Sequence, residues 1–116
     1  MRIALSLIVA LVAGRALAAP PDYVRDVAPI LAKYCAGCHN DRRPAAGLSL
    51  VGFDVTKAAD KAEVAEKMIV KLQAGMMPPR GSQKPDAAVH TALIAALEST
   101  LDAAAASSPN PGRRTF

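Results

Sequence analysis

The sequence contains few aromatic residues and few cysteines. Its 116 residues include no tryptophan, two phenylalanines, two tyrosines and two cysteines. A small domain buries a limited share of its surface, so without large side chains it has difficulty building a sufficient core. The composition therefore favours one small domain whose core is completed by something other than polypeptide.

The two cysteines, Cys35 and Cys38, are too close together in the sequence for a disulfide between them to stabilise the fold much. A disulfide between them would close a tiny loop and constrain little of the unfolded chain, so it would add little stability. We therefore expect the pair to be present for its chemistry.

The sequence also lacks an apolar run long enough to cross a bilayer. The longest run, residues 3–14, holds 12 residues, whereas a membrane-spanning helix needs about 20. Arg2 precedes this run, and residues 16–18 read Ala-Leu-Ala, a pattern that signal peptidase accepts. The sequence therefore predicts a signal peptide at residues 1–18, cleaved after Ala18 with Ala19 as the second choice, export to the periplasm, and no stable membrane span afterwards.

The charge balance gives no reason to expect nucleic-acid binding. The chain has 14 basic and 10 acidic residues. Removal of the signal peptide takes away Arg2 and Arg15, which lowers the net charge from +4 to +2. No run of Lys and Arg is interleaved with aromatic residues that would make a stacking groove. We expect no nucleic-acid partner.

Residues 35–39 read Cys-Ala-Gly-Cys-His, the attachment motif of a c-type haem. On one helical turn, the thiols of Cys35 and Cys38 can both add to the vinyl groups of one haem, and the imidazole of His39 can reach the iron. The motif predicts one covalent haem c with His39 as the proximal ligand. Export agrees with this, because c-type haem is attached outside the bacterial inner membrane.

Other interpretations of the two cysteines fit less well. A thioredoxin-like redox pair needs a βαβ context, and the chain has no strand pattern. A zinc site from Cys35, Cys38, His39 and His90 has enough ligands, but the adjacent Cys38 and His39 are poorly spaced for a tetrahedron.

The rest of the chain predicts about three main helices. Asp26 can cap a first helix that begins at Val27 and leads into the haem-binding turn, with Pro29 in its first turn. Residues 40–56 show no regular period and predict a loop, in which Arg42 and Arg43 form a solvated surface pair or, alternatively, pair with haem propionates.

Two amphipathic helices follow the loop. Residues 61–74 carry an apolar stripe and end before Gly75, a natural helix stop. A last helix runs from near Asp86 to about Ala105, with leucines every four residues, and can lie across the helix before it. The stripe of the first of these helices consists of Val64, Ala65, Met68, Ile69 and Leu72.

A haem bound by His39 has either a second protein ligand, for electron transfer, or an open site. Met68 lies on an apolar stripe and is expected to be a core residue. Met77 directly precedes two prolines, which stiffen its backbone, so we predict Met77 as the distal ligand with Met76 as the fallback. His90 is expected to pack on the buried side of the last helix rather than to bind iron.

The order of these features resembles small class I cytochromes c, which implies an all-α fold around one haem, His39/Met77 ligation and one-electron transfer. Residues 27–31, 47–50 and 71–79 look more specifically like the N-terminal cytochrome domain of large secreted planctomycete-type multidomain proteins. The likeness covers residues 22–112. It implies that the end of the chain resembles a link into a further domain.

We therefore expect a signal peptide at residues 1–18, a monohaem cytochrome domain at residues 22–106, and a linker-like tail at residues 107–116. The expected function is electron transfer rather than catalysis, with an unidentified redox protein as partner. Two alternatives stay open: a haem enzyme or sensor with an open sixth iron site, and an electron-relay domain fused to or associated with a larger secreted oxidoreductase.

The mass of the protein matured in the periplasm tests both the predicted cleavage after Ala18 and the predicted haem attachment. We predict that it exceeds the mass of the chain cleaved after Ala18 by one haem, because the thioether bonds survive denaturation. A Cys35→Ser, Cys38→Ser double variant serves as the control and should show the cleaved polypeptide alone. A wild-type protein with the mass of the bare polypeptide would contradict haem attachment.

Overall fold

The computed structural model describes residues 26–109. These residues form three α-helices and two 3-10 helices, and within them no β-strand occurs. The α-helices are α1 (Ala28–Tyr34), α2 (Ala62–Gln73) and α3 (Ala87–Ser107); the 3-10 helices are Ala45–Gly47 and Val55–Lys61. The expectation of a mainly helical chain with three main helices is confirmed. The predicted signal peptide at residues 1–18 and most of the predicted tail lie outside the described residues.

Helix α1 begins one residue later than the sequence predicts. Val27 occupies the N-cap position in place of the predicted Asp26, and the Val27 side chain makes no cap hydrogen bond. Pro29 lies in the first turn, where the missing backbone N–H has no intrahelical partner to lose. Val27 and Leu31 are buried and attach this short helix to the core.

The 3-10 helix Val55–Lys61 is an element that the sequence did not predict. The side chain of Asp54 caps it, accepting hydrogen bonds from the backbone N–H of Thr56 at 2.9 Å and from its hydroxyl at 2.6 Å. The hydroxyl bond is the main cause that lowers the pKa of Asp54. Val55 and Ala58 are buried, so this segment, expected in part as a loop, belongs to the core.

Helix α2 has the predicted apolar stripe and the predicted end. Ala65, Met68 and Leu72 are buried, which confirms Met68 as a core residue. Gly75 has a φ of 64°, a left-handed conformation that glycine adopts without strain, and its N–H donates to the carbonyl of Leu72 at 3.0 Å. The helix therefore stops where the sequence indicated.

Helix α3 is the longest element and packs against both the Val55–Lys61 3-10 helix and α2. Asp86 caps its start by accepting a hydrogen bond from the N–H of Val89 at 2.9 Å. Leu93 and Leu97 are the largest fully buried side chains of the described residues. The predicted contact between the last two helices is thus confirmed.

The core of the described residues is small and mostly aliphatic. It consists of 12 buried residues, with Phe53 as its single aromatic side chain, and no polar or charged side chain within residues 26–109 is buried. No helix in this part of the chain is long and apolar enough to cross a membrane. The residues of this core are Val27, Leu31, Leu50, Phe53, Val55, Ala58, Ala65, Met68, Leu72, Leu93, Ala96 and Leu97.

We predict that Leu97→Ala lowers the free energy of unfolding by about 2–5 kcal/mol, because it leaves a cavity at a fully buried position of α3. The matched control is Val70→Ala, since Val70 is 60 % exposed on α2 and its truncation should change stability by no more than about 0.5 kcal/mol. Denaturant unfolding followed by circular dichroism measures both. Equal losses in the two variants would contradict the packing described here.

Candidate functional site

Cys35, Cys38 and His39 lie together in one tight turn at the end of α1. Cys35 follows the helix directly, and its N–H donates to the carbonyl of Leu31 at 3.0 Å. The carbonyl of Cys35 then accepts hydrogen bonds from the N–H groups of Cys38, at 3.1 Å, and His39, at 2.9 Å. Both cysteines are free thiols. The predicted placement of the three residues on a single turn is what the backbone shows.

The two thiols differ in their surroundings. Cys35 is half-buried and packs against the core, whereas Cys38 is exposed. Burial raises the pKa of the Cys35 thiol, because the thiolate would lose solvation there. The Cys35 thiol therefore lies on the side of the turn that faces the core, and the Cys38 thiol lies on the side that faces solvent.

The imidazole of His39 is oriented by a backbone carbonyl. Its Nδ1 lies 3.2 Å from the carbonyl oxygen of Leu48. Because a carbonyl oxygen can only accept, Nδ1 carries the proton in this contact, and the lone pair of the neutral ring is on Nε2. A donor bond from one ring nitrogen to a carbonyl is how proteins fix the other nitrogen for metal binding.

The segment after His39 folds back along the turn. His39 and Pro44 form an isolated antiparallel bridge, and the carbonyl of His39 accepts a hydrogen bond from the N–H of Leu50 at 2.9 Å. Leu50 is buried and the neighbouring Leu48 is half-buried. The backbone that orients the histidine is thereby anchored in the core.

An open pocket of about 380 Å³ lies beside Cys38. Arg43 forms part of its wall, and the N–H of Ala45 donates to the carbonyl of Cys38 at 3.1 Å, which keeps the wall against the turn. Arg42 and Arg43 are both exposed, as expected for a solvated pair. The lining residues are Gly37, Cys38, Arg43, Pro44 and Ala45.

The two candidate methionine ligands lie in the turn that follows α2. The N–H groups of Met76 and Met77 both donate to the carbonyl of Lys71, at 3.0 and 3.3 Å. The thioether sulfur of Met76 also accepts a hydrogen bond from the Lys71 ammonium at 3.6 Å. Met76 is 53 % exposed and Met77 36 % exposed, while the following Pro78 is buried.

Within residues 26–109, no hydrogen bond connects the turn that contains the cysteines and His39 to the turn that contains the two methionines. The turn of Cys35 and His39 is one group, and the turn of Met76 and Met77 is another. The pairing of His39 with Met77 across one iron stays a prediction.

His90 lies in the first turn of α3 and is half-buried, in agreement with a packing role. Over the described part of the chain, no group of three or more His, Cys, Asp or Glu side chains is arranged to hold a metal ion. The zinc site from Cys35, Cys38, His39 and His90 has no counterpart there. Haem iron, in contrast, needs only one or two axial side chains.

Sequence reasoning missed two residues that organise this site, Asn40 and Leu48. Asn40 uses its side-chain amide in four hydrogen bonds to the backbone around it. The signal for it was the residue type, since asparagine often bonds nearby backbone groups at turns. Leu48 acts through its carbonyl oxygen, which every residue has, so its side chain gave no signal.

Comparison of the chain with known proteins found no matching family model, no matching curated protein and no matching solved structure.

We predict that, in the reduced polypeptide with free thiols, Cys38 reacts with iodoacetamide faster than Cys35 at pH 8. Cys38 is exposed, whereas Cys35 is half-buried and its raised pKa leaves less thiolate to react. Peptide mapping by mass spectrometry after short reaction times measures both rates. In denaturant the two rates should become similar, and a faster reaction at Cys35 in the folded chain would contradict the arrangement.

Proposed function

We propose that this chain is an exported c-type cytochrome domain that transfers single electrons through one covalently bound haem. Cys35 and Cys38 would hold the haem as thioethers, His39 would be the proximal iron ligand, and Met77 the distal one. The observation that carries the proposal is the His39 imidazole, which follows the two free thiols on one turn and has its Nδ1 bonded to the Leu48 carbonyl at 3.2 Å.

The imidazole geometry supports iron ligation more than a redox-thiol role. Two neighbouring thiols alone would suit disulfide exchange, and that chemistry has no need of an oriented histidine. Here the carbonyl of Leu48 selects the tautomer in which Nε2 has the lone pair. Such a tautomer is the one that binds metal, and a bonded Nδ1–H also raises the basicity of the ligating nitrogen.

The surroundings of the turn also suit a large, mostly apolar group. Cys35 packs against the apolar core, and the pocket beside Cys38 is walled by Arg43, whose charge can pair with a propionate. Bound haem supplies an iron that changes between the ferrous and ferric states. The chain's contribution would be to hold that iron by defined side chains.

Met77 is a better distal ligand than Met76 because the sulfur of Met76 is already engaged. The Lys71 ammonium donates to that sulfur at 3.6 Å, and Met76 is 53 % exposed. Met77 makes no such contact among the described residues and is followed by the buried Pro78. A thioether ligand would raise the reduction potential above that of a bis-histidine haem.

The helices add support at the level of architecture. Three α-helices with the attachment turn after the first and the methionine turn after the second follow the order expected of a class I-like cytochrome c fold. The predicted signal peptide would deliver the chain to the compartment in which haem c is attached. In this proposal the protein is an electron carrier and not an enzyme.

We predict that Met77→Ala abolishes the weak sulfur-to-iron absorption band near the red end of the spectrum of the oxidised protein. Met76→Ala is the matched control and should keep the band, because it removes the neighbouring thioether without removing the ligand. The measurement is an optical spectrum of each variant matured in the periplasm.

Two results would contradict the proposal in different ways. If Met76→Ala alone removed the band, the distal ligand would be Met76. If the reduced wild-type protein bound carbon monoxide rapidly, the sixth site would be open, and a haem enzyme or gas sensor would be the better description.

A further inference from the structure

The side chain of Asn40 has all of its hydrogen-bonding groups in use. Its Nδ2 donates to the carbonyl oxygens of Ala36, at 2.8 Å, and Gly37, at 3.1 Å. Its Oδ1 accepts from the backbone N–H groups of Arg42 and Arg43, each at 3.0 Å. A side-chain amide has two N–H donors and two acceptor lone pairs, so these four bonds satisfy it completely.

The two carbonyls on the donor side belong to the residues that separate the cysteines. Ala36 and Gly37 are the two residues between Cys35 and Cys38, and their conformation sets how far apart the two sulfurs lie and in which direction each points. The backbone hydrogen bonds within the turn are accepted by the carbonyl of Cys35, and none of them uses the carbonyls of Ala36 and Gly37. The Asn40 amide supplies these donors.

The oxygen of the same amide bonds the segment that forms the wall of the pocket beside Cys38. The N–H groups of Arg42 and Arg43 begin the segment that returns through Pro44 to pair with His39, and Arg43 lines the pocket beside Cys38. One side chain therefore links the spacer between the thiols, the segment behind the imidazole, and the pocket wall.

We propose that Asn40 is the positioning residue of the attachment turn, which holds both thiols and the His39 imidazole in the arrangement that one haem requires. The inference rests on the proposed function, since it names the residue that prepares that site. Attachment adds each S–H across a vinyl double bond, so that one S–C and one C–H bond form and no oxidant or reductant is consumed. Such an addition depends on where each sulfur is held, and the amide of Asn40 takes no part in the bonds that form and break.

Replacement of Asn40 by similar residues separates the two halves of its role. Asp in its place would still accept from Arg42 and Arg43 but, as a carboxylate, would have no proton to donate to the two spacer carbonyls. Ala removes all four bonds. The control is Ser49→Ala, which breaks the neighbouring 2.6 Å bond from the Ser49 hydroxyl to Asp41 in the same loop and touches none of the bonds of Asn40.

The experiment matures the wild type, Asn40→Ala, Asn40→Asp and Ser49→Ala in the periplasm. The haem-bearing fraction is measured by intact mass, and the number of thioether bonds by the pyridine haemochrome spectrum, which differs between one and two thioethers. We expect Asn40→Ala and Asn40→Asp to reduce the doubly attached fraction at least threefold relative to wild type, with a new single-thioether species. Ser49→Ala should match the wild type.

A purely stabilising role for Asn40 would lower the yield of holoprotein but leave the thioether number at two, and that result would overturn the inference. Attachment at the wild-type level in Asn40→Asp would also overturn it, because the bonds to the carbonyls of Ala36 and Gly37 would then be dispensable. If the wild type itself carried no haem, the proposed function would fail. Backbone amide exchange at Arg42 and Arg43 would then test the inference by itself: equal exchange in wild type and Asn40→Ala would overturn the link to the pocket wall.

Discussion

The fold depends on the burial of one face of α3. Leu93 and Leu97 are fully enclosed, and the two elements that pack against α3, α2 and the Val55–Lys61 3-10 helix, bury apolar side chains such as Ala58, Ala65 and Met68. Hydrophobic burial scales with the area removed from water, so a core of this composition gives a modest stabilisation. A large apolar cofactor beside Cys35 would add to this core, which links the composition of the chain to the function proposed for it.

The turn of residues 35–39 is organised by a different kind of interaction, the hydrogen bonding of side chains to backbone carbonyls. His39 bonds the Leu48 carbonyl, and Asn40 bonds the carbonyls of Ala36 and Gly37. Carbonyl groups cannot donate, so each contact admits one orientation of the ring or amide. The functional groups are therefore oriented by polar contacts at the edge of the molecule, while the apolar core supports the backbone beneath them.

The sequence was a good guide to features that repeat or that need one particular residue. The stripe of α2 through Ala65, Met68 and Leu72 and its end at Gly75 were predictable, because burial repeats at helical spacing and a left-handed residue favours glycine. The 3-10 helix Val55–Lys61 was not, since a turn of this length shows no full period and its capping residue, Asp54, is equally common in loops. The N-cap position lies one residue later than predicted, at Val27, for a related reason: the residue type of Asp26 suits an N-cap, but the start of the helix also depends on how Val27 and Leu31 reach the core.

The same distinction separates the two halves of the candidate site. Cys35, Cys38 and His39 are close in sequence, so local backbone geometry alone brings them into one turn, and the motif predicted that turn correctly. Met77 is distant in sequence, and its placement depends on how α2 ends and on the Lys71 carbonyl that accepts from both methionine N–H groups. Met77 is distinguished from Met76 by the two prolines that follow it and by the hydrogen bond that Lys71 donates to the sulfur of Met76. In the proposed function, the contact of Lys71 with the sulfur of Met76 favours the thioether of Met77 as the iron ligand.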